Sequence, residues 1–311
     1  MTLGAMVQHP RLLCKAVGTM KATHQPVFTV DDLPRFSPWP ARLLGMTQWA
    51  PRKKTPAEIT REFDHDKWGT LLDRYLRTGD NATLEIVEGW AHDWTRATLC
   101  SIGERFELLA PRESLHRHYQ LVADTLHRLL PATCIVELGA GYGGAVLRLA
   151  TDGRFTGRPL YAAEYTSSGR ELLERLAKAT GVSVQIGRCD LSKAPVCDLQ
   201  PPDGGIVFTC MAAHYVPELD DSFVGGFRQL RATTIVHFEP CYEHFDPLSL
   251  TGALRRRYVE VNDYNRNLIS LLRRHAASGS IVILEEAVAV IGVNPLLPIS
   301  IVAWQYKDRS L

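Results

Sequence analysis

No uninterrupted apolar run in the chain reaches the roughly 18 to 20 residues needed to cross a bilayer. The Met1–Met20 stretch mixes His9, Pro10, Arg11 and Lys15 with short apolar pieces, so it reads as neither signal peptide nor anchor. Charge of one sign is equally scarce. A formal net charge of +1 and a pI near 7.7 exclude broad attraction to nucleic acid or to an anionic membrane surface. The seven cysteines (Cys14, Cys100, Cys134, Cys189, Cys197, Cys210 and Cys241) are odd in number, scattered and free of any CxxC spacing. Free thiols in a cytoplasmic protein account for them, and neither a disulfide framework nor a metal site is expected. Cys134, Cys189 and Cys210 sit in or beside apolar runs, where cysteine behaves as a small hydrophobe. Internal repeats and low-complexity tracts are missing as well.

What is present is an ordinary globular balance, with 45% hydrophobic and 22% charged residues over 311 positions. That length buries one substantial core plus an accessory segment. Pro26, Pro34, Pro38, Pro40 and Pro51 prevent a long helix in residues 1–54, while Phe28, Phe36, Trp39 and Trp49 need a surface to dock on; the segment reads as a wrapping arm. At residues 55–130 the period becomes helical, opening on a capping-box pattern at Thr55-Pro56-Ala57-Glu58. An all-helical N-terminal cap is expected there.

From residue 131 to 311, apolar and often β-branched runs alternate with helical stretches, as expected of an α/β domain with a mostly parallel sheet covered on both faces. Seven strands are expected. Gly292–Pro298 is too short for a crossover helix, so the last two strands must form an antiparallel hairpin.

Val136-Glu137-Leu138-Gly139-Ala140-Gly141-Tyr142-Gly143-Gly144 follows an apolar run and opens a helix. Glycine lets a backbone approach a ligand without a Cβ clash, and an acidic side chain suits a cationic amino group. This segment resembles the cofactor turn of class I S-adenosylmethionine-dependent methyltransferases, whose Rossmann-like sheet also closes on an antiparallel final strand. The resemblance implies that Glu137, Gly139, Ala140, Gly141, Tyr142 and Gly143 cup the methionine part of S-adenosylmethionine, with S-adenosylhomocysteine as the product. A finer resemblance, to bacterial sugar O-methyltransferases, covers only this turn and its neighbourhood. The same glycines also satisfy G-x-G-x-x-G through Gly139, Gly141 and Gly144, so a NAD(P)-dependent oxidoreductase is the alternative. Against it stand the charged Glu137, the late position of the turn and the terminal hairpin.

Glu164, with Tyr165 beside it, ends the next strand about 23 residues after Gly141, where a carboxylate can accept both ribose hydroxyls. The resemblance places Asp190 on the adenine amino group, with Leu191 adjacent; the competing reading is a turn aspartate capping its neighbours. The methyl acceptor should lie beyond the fourth and fifth strands, which deliver Met211, His214 and Tyr215, and then Glu239 and His244. Methyl transfer needs an aligned nucleophile and, where that nucleophile is protonated, a base. His214 is the candidate base, oriented by Glu239. Relative to the family, the fourth strand lacks the Asn/Asp-Pro-Pro-Tyr tetrapeptide of enzymes that methylate amide or adenine nitrogens on macromolecules, and no cysteine pair looks like that of the cytosine C5 enzymes.

Residues 246–278 form a long insertion with helical spacing, read as a lid that excludes water, with Tyr264 and Asn265 as substrate contacts. Arg255-Arg256-Arg257 and Arg273-Arg274 read as solvated helix surface. His116 and His118, two apart in a helix, face different sides. The expected activity is methyl transfer to an oxygen or nitrogen of a small-molecule, natural-product, sugar or peptide-derived acceptor. No nucleic-acid or membrane partner is expected, and a homodimer is compatible with the sequence. A non-catalytic methyltransferase-like partner subunit is a further alternative.

Overall fold

The computed structural model describes residues 27–50 and 53–307. Most of the proline-rich arm, with Cys14, Pro26 and Pro51, lies outside the described residues. Eleven strands are present among the described residues: β1 (Thr98–Ile102), β2 (Arg105–Leu109), β3 (Ile135–Leu138), β4 (Leu160–Ala163), β5 (Val184–Gly187), β6 (Cys189–Asp190), β7 (Val196–Cys197), β8 (Ile206–Cys210), β9 (Thr234–Glu239), β10 (Ile281–Gly292) and β11 (Ile299–Tyr306). Nine of them form one sheet in the order β2-β1-β10-β11-β9-β8-β3-β4-β5.

The run β9-β8-β3-β4-β5 is parallel throughout. Its side chains alternate between two cores: Ile135, Ile206 and Val236 join one, and Val136, Val207 and Ile235 the other. Both faces are therefore covered, and burial on both sides is what lets these strands be continuously apolar. The first core takes helices Trp68–Arg77, Pro111–Arg128, Gly144–Thr151 and Ser167–Thr180; the second takes Leu268–Ala277 and the Phe223–Leu230 region. β11 runs antiparallel to both β9 and β10, the hairpin that the short Gly292–Pro298 connection demands.

The sheet has nine strands rather than the seven expected, because residues 98–109, read as part of an all-helical cap, form a hairpin. Gly103, at φ +58°, starts the two-residue turn between β1 and β2. The hairpin docks on β10 through Ser101↔Gly292 and Ile102↔Ile291. It buries Leu99, Phe106 and Leu109.

Helical spacing elsewhere in the cap is realised at Trp68–Arg77, Leu84–His92 and Pro111–Arg128. Thr55 caps its helix, its Oγ1 accepting from the Glu58 N–H, whereas the Glu58 carboxylate turns to Arg61 and leaves the capping box half made. A π-helical run follows at Thr60–Lys67, carrying Phe63 and Asp64 over the carboxyl edge of the sheet. Asp64 accepts from the Ser168 N–H and the Ser167 hydroxyl, which ties the cap to the start of the Ser167–Thr180 helix. A third core joins Leu33 of the arm to Phe245, Leu254, Tyr258 and Leu296. Among the described residues no helix is long and apolar enough to cross a membrane.

Candidate active site

The turn after β3 owes its shape to Gly139, Gly141 and Gly143, which have φ of +76°, +57° and +88°. L side chains rarely adopt this region. Space is closed as well: a Cβ on Gly139 would lie 2.3 Å from the Ala212 Cβ, and one on Gly141 2.9 Å from Trp68 Cζ2. Gly143 has a different task from the one expected. A Cβ there would sit 2.1 Å from Leu173 Cδ1, so it serves helix packing, and it is absent from the walls of both cavities described below.

Glu164, at the tip of β4, accepts from the Gly141 N–H (2.8 Å), the Thr166 N–H (2.9 Å) and the Thr166 hydroxyl (2.8 Å). Its carboxylate thus ties the glycine turn to the next helix while still facing a cavity. That cavity, about 160 Å³, is walled by Gly139, Gly141, Glu164, Tyr165, Asp190 and Leu191 on the sheet side and by Ile59, Phe63 and Trp68 on the cap side. Asp190 holds the Ser192 N–H and hydroxyl through one oxygen, the turn-capping contact weighed above, and still lines this cavity.

A second cavity, about 290 Å³, adjoins the other side of the turn. Glu137, Ala140, Tyr142 and Cys210 meet there with Leu115, His118 and Tyr119 of the Pro111–Arg128 helix and with Asn294 and Leu297 from the loop between β10 and β11. Phe63, Trp68, Gly139, Gly141, Met211 and Tyr215 belong to the walls of both spaces. Each space falls below the roughly 300–1,000 Å³ of a typical ligand site. A nucleoside joined to an amino acid would have to span both across this shared wall. Met211 stands in the wall at φ +53°, a conformation non-glycine residues hold only when their surroundings impose it.

Glu137 is buried, and its Oε2 accepts from the Val146 N–H at 2.9 Å, capping the Gly144–Thr151 helix from below. Burial pushes its carboxyl up to about 8, with a smaller push from the Glu164 charge. His92 and His118 were not foreseen as site residues. His92 Nε2 lies 3.2 Å from the Tyr142 hydroxyl and His118 Nε2 3.3 Å from Cys210 Sγ. Burial depresses both imidazoles, His118 to about 4, so both are neutral in the fold. His116 is exposed and His118 buried, as their two-residue spacing requires.

His214, Glu239 and Tyr264 do converge. Glu239, fully buried at the tip of β9, accepts from the N–H groups of Ala212 (3.0 Å), Ala213 (2.9 Å) and His214 (3.2 Å), and pairs with His214 Nδ1 at 3.0 Å. His214 stacks obliquely on Tyr215 (centroids 4.0 Å apart) and meets Tyr264 edge-on at 4.9 Å. Burial lowers the His214 pKa, and contact with the imidazole holds Glu239 below its ordinary range despite burial. His214 Nε2 is buried with no partner. Of His214, Tyr215, Glu239 and Tyr264, Tyr215 alone reaches the cavities, lining both.

Like Tyr264, two further expected substrate contacts lie off those walls. His244 has both nitrogens engaged, Nδ1 with Ser300 Oγ (2.8 Å) and Nε2 with Glu286 (2.9 Å). Asn265 donates to the Val216 carbonyl through its side chain and to the His214 carbonyl through its backbone, and its Oδ1 accepts from Asn267 and Leu268 N–H groups. It locks the strand-end turn to the Leu268–Ala277 helix.

No family model matches the chain, and no curated protein matches it. Among solved structures, a magnesium protoporphyrin IX methyltransferase from Synechocystis PCC 6803 with bound SAH is 12% identical, with a TM-score of 0.44 over 63% of this chain and 86% of that one. Geranyl diphosphate C-methyltransferase from Streptomyces coelicolor A3(2) is also 12% identical, with a TM-score of 0.46 over 76% of this chain and 98% of that one. The small RNA methyltransferase HEN1 is 10% identical, with a TM-score of 0.45 over 63% of this chain and 26% of that one. The strand order β10-β11-β9-β8-β3-β4-β5, with β11 antiparallel to its neighbours, and the glycine-bound turn after β3 make this an α/β fold with a mixed, mostly parallel sheet.

Proposed function

We propose that the chain is an S-adenosylmethionine-dependent methyltransferase acting on an oxygen or nitrogen of a small, largely apolar acceptor such as a natural-product scaffold. The observation that carries this reading is the pair of cavities meeting at the Gly139–Gly141 turn, one lined by Glu164 and Asp190 and the other by Glu137. When bound, the cofactor supplies an electrophilic methyl group on a sulfonium. Glu164 and Asp190 would hold its nucleoside end, and the turn, with Glu137 behind it, its amino-acid end. Phe63, Trp68 and Tyr215 line both cavities, and the face of an aromatic ring attracts a cation. The acceptor would enter the second cavity, among Leu115, Leu297, Tyr119 and Asn294. The insertion at residues 246–278, expected as a lid, lines neither cavity, and its Leu268–Ala277 helix belongs to the second core.

Calorimetry with the purified chain tests the reading. S-adenosylhomocysteine should bind with micromolar affinity and NAD(P) should not bind; the reverse result would replace the methyltransferase with an oxidoreductase.

Glu137 makes a second test. Its carboxyl, raised to about 8, is protonated in the empty fold at pH 7, and a ligand ammonium beside it favours the ionised form. Binding of S-adenosylhomocysteine at pH 7 should therefore release close to one proton, read from binding enthalpies in buffers of different ionisation heat. Glu137→Gln should remove that release.

His214 is the proposed base. Glu239 keeps a proton on Nδ1, which leaves Nε2, now unpartnered, as the accepting nitrogen. Tyr215 would have to turn aside for an acceptor to reach it. His214→Ala should slow turnover by about 100-fold while changing S-adenosylhomocysteine affinity less than threefold. Equal turnover would take His214 out of the mechanism.

A further inference from the structure

The hairpin that carries Asp190 holds two thiols face to face. β6 and β7 pair antiparallel with Cys189 opposite Cys197 and Asp190 opposite Val196. Next in the ladder, the Asp198 N–H donates to the Arg188 carbonyl (3.2 Å), and the Asp198 carboxylate takes the Arg188 N–H (2.7 Å). Bonded and non-bonded pairs alternate along an antiparallel ladder, so Cys189 and Cys197 form a non-hydrogen-bonded pair. Such pairs bring Cα atoms to about 4.5 Å, with side chains closest, inside the roughly 4.4–6.8 Å range that a disulfide spans. Both cysteines are free thiols, Cys189 buried and Cys197 partly exposed.

We propose that Cys189 and Cys197 are a reversible disulfide site, closed by a small oxidised disulfide such as oxidised glutathione, and that closing it weakens ligand binding in the adjoining cavity. Cys197, the partly exposed thiol, is the attacking group, and Cys189, buried with its pKa raised, is the resolving one. The Cys197 thiolate attacks one sulfur of oxidised glutathione, forming a mixed disulfide and releasing one glutathione thiolate. Cys189 then gives up its proton and attacks the Cys197 sulfur, displacing the second glutathione. The protein loses two hydrogens, and one oxidised glutathione becomes two reduced ones.

The consequence for the cavity follows from position. Cys189, Asp190, Leu191 and Ser192 line the space assigned above to the nucleoside. A disulfide requires Cβ atoms about 3.8 Å apart. Closing the bond draws the Cys189 sulfur out of the wall toward Cys197 and shifts Asp190 with it. Bond formation stands independently of the methyltransferase reading; the effect on ligand rests on it.

The reduced full-length chain is incubated with oxidised glutathione under native conditions, followed by intact mass measurement, peptide mapping and calorimetry with S-adenosylhomocysteine. Expected are the loss of two hydrogens, a mapped Cys189–Cys197 bond, and affinity about tenfold weaker, restored by dithiothreitol. Cys197→Ser should form no internal bond and keep its affinity through the same treatment. A glutathione adduct that persists on Cys197, thiols that both remain open to alkylation, or a bond mapped elsewhere would overturn the site. A mapped bond with unchanged affinity would overturn the coupling to the cavity. Should the reduced chain bind no S-adenosylhomocysteine, the methyltransferase reading fails while the peptide map still decides the disulfide.

Discussion

Gly141→Val should leave a folded protein that no longer binds S-adenosylhomocysteine, with affinity at least about 100-fold weaker by calorimetry. Two separate effects act at this position. At φ +57° an L side chain costs roughly 1–2 kcal/mol, and more when β-branched. The new Cβ would also begin 2.9 Å from Trp68 Cζ2, and the two methyls beyond it would extend into the wall shared by both cavities. The Gly141 N–H, which holds Glu164 at 2.8 Å, would shift with the turn. Gly157→Val separates the effects. Gly157 has φ +77° with nothing within 4 Å of a Cβ, so it carries the strain without the obstruction. That variant should melt earlier yet bind normally. Retained affinity in Gly141→Val would move the cofactor away from the turn.

The contrast between these glycines explains much of what is legible in the sequence. Gly139 and Gly141 were legible because a left-handed backbone and a close approach tolerate no other residue, and Glu164 because strand ends of open sheets face ligands. The parallel core was legible in its β-branched runs, since burial on both faces leaves no polar alternation. Gly143 fits the same pattern but answers to Leu173, a packing partner whose position no local pattern reveals. The β1–β2 hairpin was missed because a short strand pair amid helical spacing gains its stability from β10, nearly 200 residues on. His92 and His118 were missed for the same reason: their partners, Tyr142 and Cys210, lie 50 and 92 residues away. A signal existed for His118, whose spacing with Leu115, Val122 and Leu126 places it on the apolar face of its helix. His244 and Asn265 looked available because a sequence displays donors and acceptors without showing that they are already used.

Glu239→Ala should be the most destabilising single change at the site, lowering stability by about 3–5 kcal/mol and the melting temperature by roughly 10 °C. The carboxylate is fully buried and gathers three backbone N–H groups and the His214 imidazole, so its removal strands four donors in the interior. The turn that presents Tyr215 and Ala212 to the cavities loses its anchor, so ligand affinity should fall with stability. The pH dependence identifies the ionised form as the anchor. Contact with His214, the largest favourable influence, keeps the folded pKa below the ordinary 4.5. A depressed carboxylate stabilises the fold above its unfolded pKa, and that contribution disappears as pH falls through the folded value. Wild-type protein should thus lose, below about pH 4.5, stability that Glu239→Ala never had. Melting temperatures of the two proteins, far apart at pH 7, should draw closer as pH falls below about 4.5, by at most about 1.4 kcal/mol of stability per pH unit. A constant gap across that range would mean that Glu239 holds the turn as a neutral acid, and His214 would then lack the anionic partner that fixes its tautomer.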